Sequence, residues 1–289
     1  MPRSASRSAL VSLVLLALLG WTPRSVRGDT LYDNDLPDGK MAMAAHPEGH
    51  SQIEKETADD FLLTDAARID GGTFTGLIPL EASVDEVVVE IYRVFPSDSD
   101  VSRTSGPPTF STSQVPTRVN SPSDVALESR DASSGLTFQT TWLSPSFQAA
   151  NSVVDGIHPT PDQLTGGEGP VSGGEVRIDF ALSQPIVLPA DHYFFVAQVD
   201  LGGSGGQFLW LSAPKPATQT PFTPDLQAWI RDGDLDPDWL RVGTDIVGGD
   251  PPPTFNAAFS LQGVLPEPGA PLLAVTALAA LAGLRRARG

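Results

Sequence analysis

Four aspartates at alternate positions form the part of the sequence best suited to bind a cation. Asp232, Asp234, Asp236 and Asp238 lie within residues 231–239. If the chain curls around one point, these carboxylates converge on a hard cation, and Ca²⁺ prefers such oxygen ligands. In an extended strand the same spacing would put all four on one face, where they would repel each other. The sequence predicts a candidate Ca²⁺ site, with a solvated acidic turn as the alternative.

Two tryptophans bracket this aspartate cluster and are candidates for ligand binding. An exposed indole packs against the C–H face of a sugar ring, while neighbouring carboxylates accept hydrogen bonds from its hydroxyls. Trp229 and Trp239 are therefore the residues that we expect to bind a glycan. Apolar neighbours flank Trp142 and Trp210, and for these two we expect core packing instead.

A histidine pair supplies a second, weaker metal hypothesis. His46, Glu48 and His50 place two imidazoles and a carboxylate close together, and with His158 or His192 they could ligate zinc. The intervening proline and glycine prevent a helix from presenting both imidazoles on one face, which excludes the metalloprotease motif. We expect His192 to be a partly buried strand residue.

The composition excludes several classes of enzyme. The chain has no Cys, so it has neither disulfides nor a cysteine nucleophile, and its net charge of -17 argues against binding nucleic acid. No G-x-S-x-G elbow, phosphate loop or dinucleotide fingerprint occurs. A glycosidase needs two carboxylates with one desolvated, but 35 Asp+Glu residues offer no unique pair. We expect a non-enzymatic protein, with a secreted carbohydrate-active hydrolase as the alternative.

Apolar residues that repeat every two positions dominate the middle of the chain. In residues 175–182 one face carries Val, Ile, Phe and Leu, and the other carries three charges and an Ala, which is typical of a half-buried strand. We predict about eight or nine strands separated by turn residues, including the ranges 57–63, 69–78, 136–143, 193–199, 208–211 and 255–261. Such spacing predicts an all-β fold, a single β-sandwich or jelly-roll-like domain over residues 29–265.

Three stretches of this domain fit the strand pattern less well. Residues 144–157 are the best candidate for a helix, although they fit extended chain equally. Residues 96–130 and 156–174 form long Ser-, Pro- and Gly-rich connections, which are usually either functional or disordered. In the first connection Val115, Val119, Val125 and Leu127 are predicted apolar anchors.

The N-terminus has the features of a secretory signal peptide. Arg3 and Arg7 precede an apolar run over residues 9–19, and an apolar and a small residue follow at 26 and 28. The run is shorter than the roughly 20 residues that a spanning helix needs, so cleavage is favoured over a short membrane anchor. We expect signal peptidase to remove a helical segment, residues 1–28.

The C-terminus has three parts: Pro266, Glu267 and Pro268, then an uncharged apolar run over 269–284, then a basic end with Arg285, Arg286 and Arg288. This tail resembles the PEP-CTERM sorting signal. The resemblance implies that residues 266–289 form a motif, a hydrophobic helix and a basic tail, and that an exosortase processes them. Basic residues favour the cytoplasmic side of a membrane, so the segment between the termini is predicted to be exported.

The body also resembles uncharacterised exported bacterial β-sandwich proteins that carry the same tail. The likeness lies in residues 58–61, 69–74 and 191–195, and it implies a fold but no activity. Removing the seven Arg and one Glu of the termini leaves this body with a net charge of -23. Such a surface attracts divalent cations and repels anionic polymers.

These observations together predict an exported surface or extracellular-matrix protein that binds polysaccharide or Ca²⁺. We expect it to pass from the periplasm to the cell surface or beyond, with transient inner-membrane anchoring by the C-terminal helix. No cofactor other than a candidate Ca²⁺ is indicated. The expected partners are the two processing enzymes and an exopolysaccharide.

Overall fold

β-strands make up most of the part of the chain that the structure describes. The computed structural model describes residues 28–49, 52–98, 119–157, 164–202, 206–215, 225–233 and 239–265. The predicted signal peptide, the sorting motif with its helix and basic tail, and Asp234, Asp236 and Asp238 lie outside these residues. In the described part the strands are β1 Asp29–Asn34, β2 Met41–Ala44, β3 Lys55–Leu63, β4 Ala67–Ile78, β5 Glu86–Arg93, β6 Glu128–Arg130, β7 Leu136–Ala149, β8 Asn151–Val153, β9 Val171–Leu188, β10 Asp191–Asp200, β11 Leu209–Ala213, β12 Trp229–Asp232, β13 Leu240–Arg241, β14 Asn256–Ala257 and β15 Phe259–Val264.

The strands form two sheets. The larger has nine strands in the order β1-β15-β4-β11-β2-β8, with β9 beside β4, β7 beside β9 and β14 beside β11. The smaller has six strands in the order β13-β12-β3-β10-β5-β6. All pairings are antiparallel except that of β2 with β8. A six-residue π-helical turn, Val242–Val247, follows β13.

Aromatic side chains from both sheets meet in one hydrophobic core. Phe195 of the smaller sheet lies 5.8 Å from Phe180, 5.8 Å from Trp210 and 5.0 Å from Phe259 of the larger sheet, measured between ring centroids. Aromatic pairs at these separations add about 0.5–1.5 kcal/mol each beyond the burial of their surface. The expected all-β class is therefore confirmed, and Trp210 packs in the core as predicted.

The period of two in the sequence identifies strand β9 and its two faces. In β9, Val176, Ile178, Phe180 and Leu182 are buried while the residues between them are not, as predicted. In β10 residues 193–199 are buried on both faces. The odd-numbered residues enter the core, and Phe194 and Val196 belong to a second apolar cluster on the other face. That cluster comprises Ala58, Tyr92, Phe194, Val196, Leu226, Trp229 and Trp239.

Two glycines of β4 are required by the close approach of neighbouring strands. A β-carbon on Gly71 would collide with the carbonyl oxygen of Phe180 in β9. On Gly72 it would collide with that of Ser260 in β15. This explains the glycine pair within residues 69–74, because β4 has β9 on one side and β15 on the other.

Several local predictions are corrected by the structure. Residues 144–149 continue strand β7, so the helix considered there does not form. Trp142 on β7 is 46% exposed, so the expectation that it packs in the core is wrong. Val119 and Val125 are also exposed and do not anchor their loop, whereas Leu127 packs against the core as expected. Among the described residues no helix has the length and apolar character needed to span a bilayer.

Candidate functional site

Successive side chains of β3 and of the residues just before it point to opposite faces, and each face borders a polar cavity. Glu54 and Glu56 line the first cavity, which lies on the face of the smaller sheet turned away from the core. Ile53 and Lys55 line the second cavity, together with Asp155, which follows β8 of the larger sheet. We call them the outer pocket, of about 330 Å³, and the end pocket, of about 260 Å³.

A buried ion pair forms the floor of the outer pocket. Arg231 of β12 lies opposite Glu56 of β3, and its Nε donates to Glu56 Oε2. The Arg231 Nη1 donates to the carbonyl oxygen of Asp124 at 3.3 Å, and Nη2 donates to the hydroxyl of Tyr92 at 3.1 Å. Arg231 and Glu56 are 8% and 3% exposed, so each charge depends on the other for solvation.

The hydroxyl of Tyr92 links this ion pair to a second carboxyl group. Tyr92 Oη lies 2.6 Å from Glu56 Oε1 and 3.0 Å from Glu90 Oε2. Burial, together with the nearby Glu56 carboxylate, raises the pKa of Glu90 to about 7. Two carboxyl groups that share one hydroxyl partner cannot easily both ionise, because the charges repel each other in a poorly solvated place.

Glu54 completes the acidic wall of the outer pocket. Its Oε1 accepts a hydrogen bond of 2.9 Å from the amide of Gln198 on β10. Burial and then the neighbouring Glu56 charge raise the pKa of Glu54, while the Gln198 hydrogen bond opposes this rise. Among the described residues lining the pocket, Arg231 is the only cation, whereas Glu54, Glu56, Glu90 and Asp124 are acidic.

Both tryptophans proposed to bind a glycan are buried, which corrects that prediction. Trp229 and Trp239 are each 1% exposed. The guanidinium of Arg231 lies 4.6 Å from the Trp239 ring centroid, and that of Arg241 lies 4.7 Å from the Trp229 ring centroid. Because cations and strand residues already cover both indole rings, the rings pack beneath the outer pocket and cannot stack on a sugar.

The end pocket contains a different kind of ion pair. Lys55 Nζ contacts the Oδ1 of Asp155, which follows β8 of the larger sheet. The Lys55 side chain is 7% exposed and that of Asp155 is 76% exposed, so only the cation is buried. The hydrogen bond and charge of Lys55 lower the pKa of Asp155.

His46, one residue of the predicted zinc set, lies beside this pair. Its Nδ1 is 3.1 Å from the carbonyl oxygen of Pro47, and its Nε2 is buried without a hydrogen-bond partner. Burial lowers the pKa of His46. His192, the partly buried strand residue that we expected, instead bonds Asp60 Oδ2 through Nε2 at 2.7 Å. His50 and His158 lie outside the described residues.

In the part of the chain that the structure describes, no three His, Cys, Asp or Glu side chains are arranged to hold a metal ion. Asp232 is the last residue of β12 and lies opposite Lys55. The other three aspartates of the predicted Ca²⁺ site lie outside the described residues, so that site stays a prediction.

The conspicuous motif of residues 58–61 supplies two buried acids. Asp59 is fully buried, and its Oδ2 accepts a hydrogen bond of 2.8 Å from the backbone N–H of Ala257. Burial, and then the neighbouring Asp60, raise the pKa of Asp59 well above its usual range. Asp60 accepts hydrogen bonds from the backbone of Leu226 and from His192. Asp59 thus links β3 to β14, Asp60 links β3 to β10 and to the backbone before β12, and neither acid lines the two pockets.

The sequence did not point to the central residues of the outer pocket. Glu56, Glu90 and Tyr92 look like ordinary polar residues of amphipathic strands. A usable signal was Arg231, because a lone arginine between apolar strand residues and an acidic stretch needs a buried anion.

Comparisons of the chain with protein-family models, with curated proteins and with solved structures found no match.

Proposed function

We propose that this chain is an exported, non-enzymatic surface or matrix protein whose β-sandwich body binds a neutral polysaccharide in the outer pocket. The observation that carries the proposal is the outer pocket itself, a polar cavity of about 330 Å³ on a sheet face, with an acidic wall. The proposal includes export, exosortase sorting and a helix at each terminus, and these parts rest on the residue patterns of the two termini.

The charge state of the pocket favours a ligand that brings hydrogen-bond donors. Each nitrogen of Arg231 already donates within the protein, to Glu56, Asp124 and Tyr92. The groups left to meet a ligand are mainly carboxyl oxygens, and sugar hydroxyls donate to such oxygens. An anionic polysaccharide would be repelled both by this wall and by the acidic body.

A carbohydrate-active hydrolase is the second candidate, and one observation favours it. Glu56 and Glu90 lie within hydrogen-bonding distance of the same tyrosine hydroxyl, as a carboxyl pair with one raised pKa. However, Arg231 occupies one oxygen of Glu56 and Tyr92 occupies the other, so neither oxygen is open to attack a sugar. The pocket therefore supports binding better than nucleophilic catalysis.

The proposed function can be tested with a panel of neutral and acidic polysaccharides. The purified chain should retain a neutral polysaccharide without releasing reducing sugar. Glu54→Gln should weaken this binding at least fivefold, because an amide replaces one acceptor oxygen of the pocket with a donor. Glu86→Gln, on β5 but outside the pocket, is the matched control and should leave binding unchanged.

Two results would overturn the proposal. Release of soluble sugar would establish the hydrolase. Binding of acidic polysaccharides as tight as that of neutral ones would show that the acidic wall does not select the ligand. Export is tested separately by mass spectrometry of the protein from its own cells, which should show the chain without residues 1–28 and shortened near Pro266.

A further inference from the structure

The hydroxyl of Tyr92 has too few hydrogens for the contacts that it makes. Its oxygen lies 2.6 Å from Glu56 Oε1, 3.0 Å from Glu90 Oε2 and 3.1 Å from Arg231 Nη2. A tyrosine hydroxyl donates one hydrogen, and the arginine donates its own. If both carboxyl groups were ionised, one of the two would face the oxygen lone pairs of Tyr92 with no hydrogen between them.

The missing hydrogen belongs on Glu90. Glu56 receives Arg231 Nε on one oxygen and Tyr92 on the other, which stabilises its ionised form. No ion pair in the part of the chain described by the structure includes Glu90, and Glu90 faces the Glu56 charge. A protonated Glu90 donates to the Tyr92 oxygen, so that all three contacts are satisfied.

The other groups around Glu90 act in both directions. Glu54 and Asp124 line the same cavity and disfavour a further negative charge, whereas Arg231 and the hydrogen bond from Ser129 of the neighbouring strand β6 favour it, and burial with the Glu56 charge outweighs them. With Glu90 ionised, four carboxylates would share the pocket with one arginine. Releasing the proton therefore costs more here than in water.

We propose that this shared hydrogen bond holds Glu90 as a carboxylic acid up to near-neutral pH, and that its ionisation above neutral pH releases the ligand from the outer pocket. The release part of this inference rests on the proposed function, whereas the protonation part does not. The hydrogen of the acid is donated to Tyr92, and the carbonyl oxygen of the acid is left to accept a hydrogen bond from a sugar hydroxyl. A carboxylate presents only acceptors and breaks the contact with Tyr92 that holds the pocket wall.

The protonation is tested without any ligand. In the full chain labelled with ¹³C at glutamate carboxyl carbons, one resonance should titrate near pH 7 while most glutamates titrate near their usual pH. That resonance should disappear in Glu90→Gln and persist in the control Glu86→Gln. If Glu90→Gln does not remove a glutamate resonance whose titration midpoint lies above pH 6, the inference is wrong.

The release is tested by measuring binding of a neutral hexasaccharide, taken from the best polysaccharide of the panel, between pH 6 and pH 8.5. The wild-type affinity should fall at least fivefold over this range, and that of Glu86→Gln should fall equally. Glu90→Gln carries a permanent donor, so its affinity should change less than twofold. A wild-type affinity that does not change with pH would overturn the release.

Failure of the proposed function gives a different result. If no hexasaccharide binds at any pH, both the polysaccharide function and the release are overturned. The ¹³C titration still decides whether Glu90 carries the proton.

Discussion

The outer pocket and the end pocket lie on opposite faces of the same strand, and their ion pairs differ in how far the two charged groups are buried. In the outer pocket Arg231 and Glu56 are both buried, and in the end pocket only Lys55 is buried while Asp155 remains in solvent. The pKa of Glu90 is raised by burial and by Glu56, whereas the pKa of Asp155 is lowered by Lys55. The sign of the nearest charge and the access of water thus decide what each carboxyl does.

This difference implies that the two ion pairs contribute differently to stability. A pair buried at both ends is expensive to break, because the remaining charge keeps neither its partner nor water. A pair with one exposed end is asymmetric, because the exposed partner can return to water and the buried one cannot. Four substitutions test this difference.

The largest effect is expected for Arg231→Met in the outer pocket. It leaves the Glu56 carboxylate buried without its cation and should lower the free energy of unfolding by about 3–5 kcal/mol. Denaturant unfolding at pH 7 measures it. Adding Glu56→Gln should recover part of the loss, and a loss below 1 kcal/mol for the single variant would show that water solvates Glu56.

Glu90→Gln should make the protein more stable than wild type at high pH only. The folded pKa of Glu90 is about 7, against about 4.5 in the unfolded chain. Because the folded pKa is the higher, the wild type has its full stability below pH 4.5 and loses it as pH rises towards 7. A rise of this size corresponds to about 3 kcal/mol.

The measurement for Glu90→Gln is the difference in unfolding free energy between variant and wild type from pH 4 to pH 8. It should be near zero at pH 4, grow up to pH 7 and stay constant above it. Glu86→Gln should show no such growth. A difference independent of pH would mean that the pKa of Glu90 is the same in the folded and unfolded chain.

Asp155→Asn tests the exposed half of the end-pocket pair. Although Asp155 is mostly in solvent, its loss leaves the ammonium of Lys55 buried without its partner. We expect a loss of about 1–3 kcal/mol in unfolding free energy, the cost of a buried polar group left unsatisfied. The control is Asp65→Asn, an exposed turn residue, and an equal effect in both would remove the special role of Asp155.

Lys55→Met should have the smallest effect of the four. The methionine fills a similar volume, and Asp155 returns to water without cost, so the loss should not exceed about 1 kcal/mol. Thermal unfolding of Lys55→Met and Asp155→Asn side by side checks the predicted order. If Lys55→Met were the more damaging, the asymmetry inferred for the end pocket would be wrong.

The tryptophans show how far local sequence goes towards a site. Trp142 has apolar neighbours and is exposed, because β7 lies beyond β9 in the larger sheet and pairs with no strand on its other side among the described residues. Trp229 and Trp239 flank the aspartate cluster and are buried, because they pack in the second apolar cluster and Arg241 and Arg231 cover their rings. Neighbours in sequence do not reveal which strand or cation covers a residue.

The sequence alone determined where several strands lie and, for β9, which residues share a face. The alternation of residues 175–182 predicted β9, the ranges 57–63, 69–78 and 193–199 predicted β3, β4 and β10, and the period of a strand places Glu54 and Glu56 opposite Ile53 and Lys55. Successive side chains of a strand must point to opposite faces, so this information is local.

Only the tertiary structure decided which residues share a pocket. Glu56 meets Tyr92, 36 residues away, and Arg231, 175 residues away, because β10 lies between β3 and β5 and β12 pairs with β3. The order and register of strands depend on how both sheets bury their apolar faces together. No local pattern contains this information, and the proton on Glu90 follows from it.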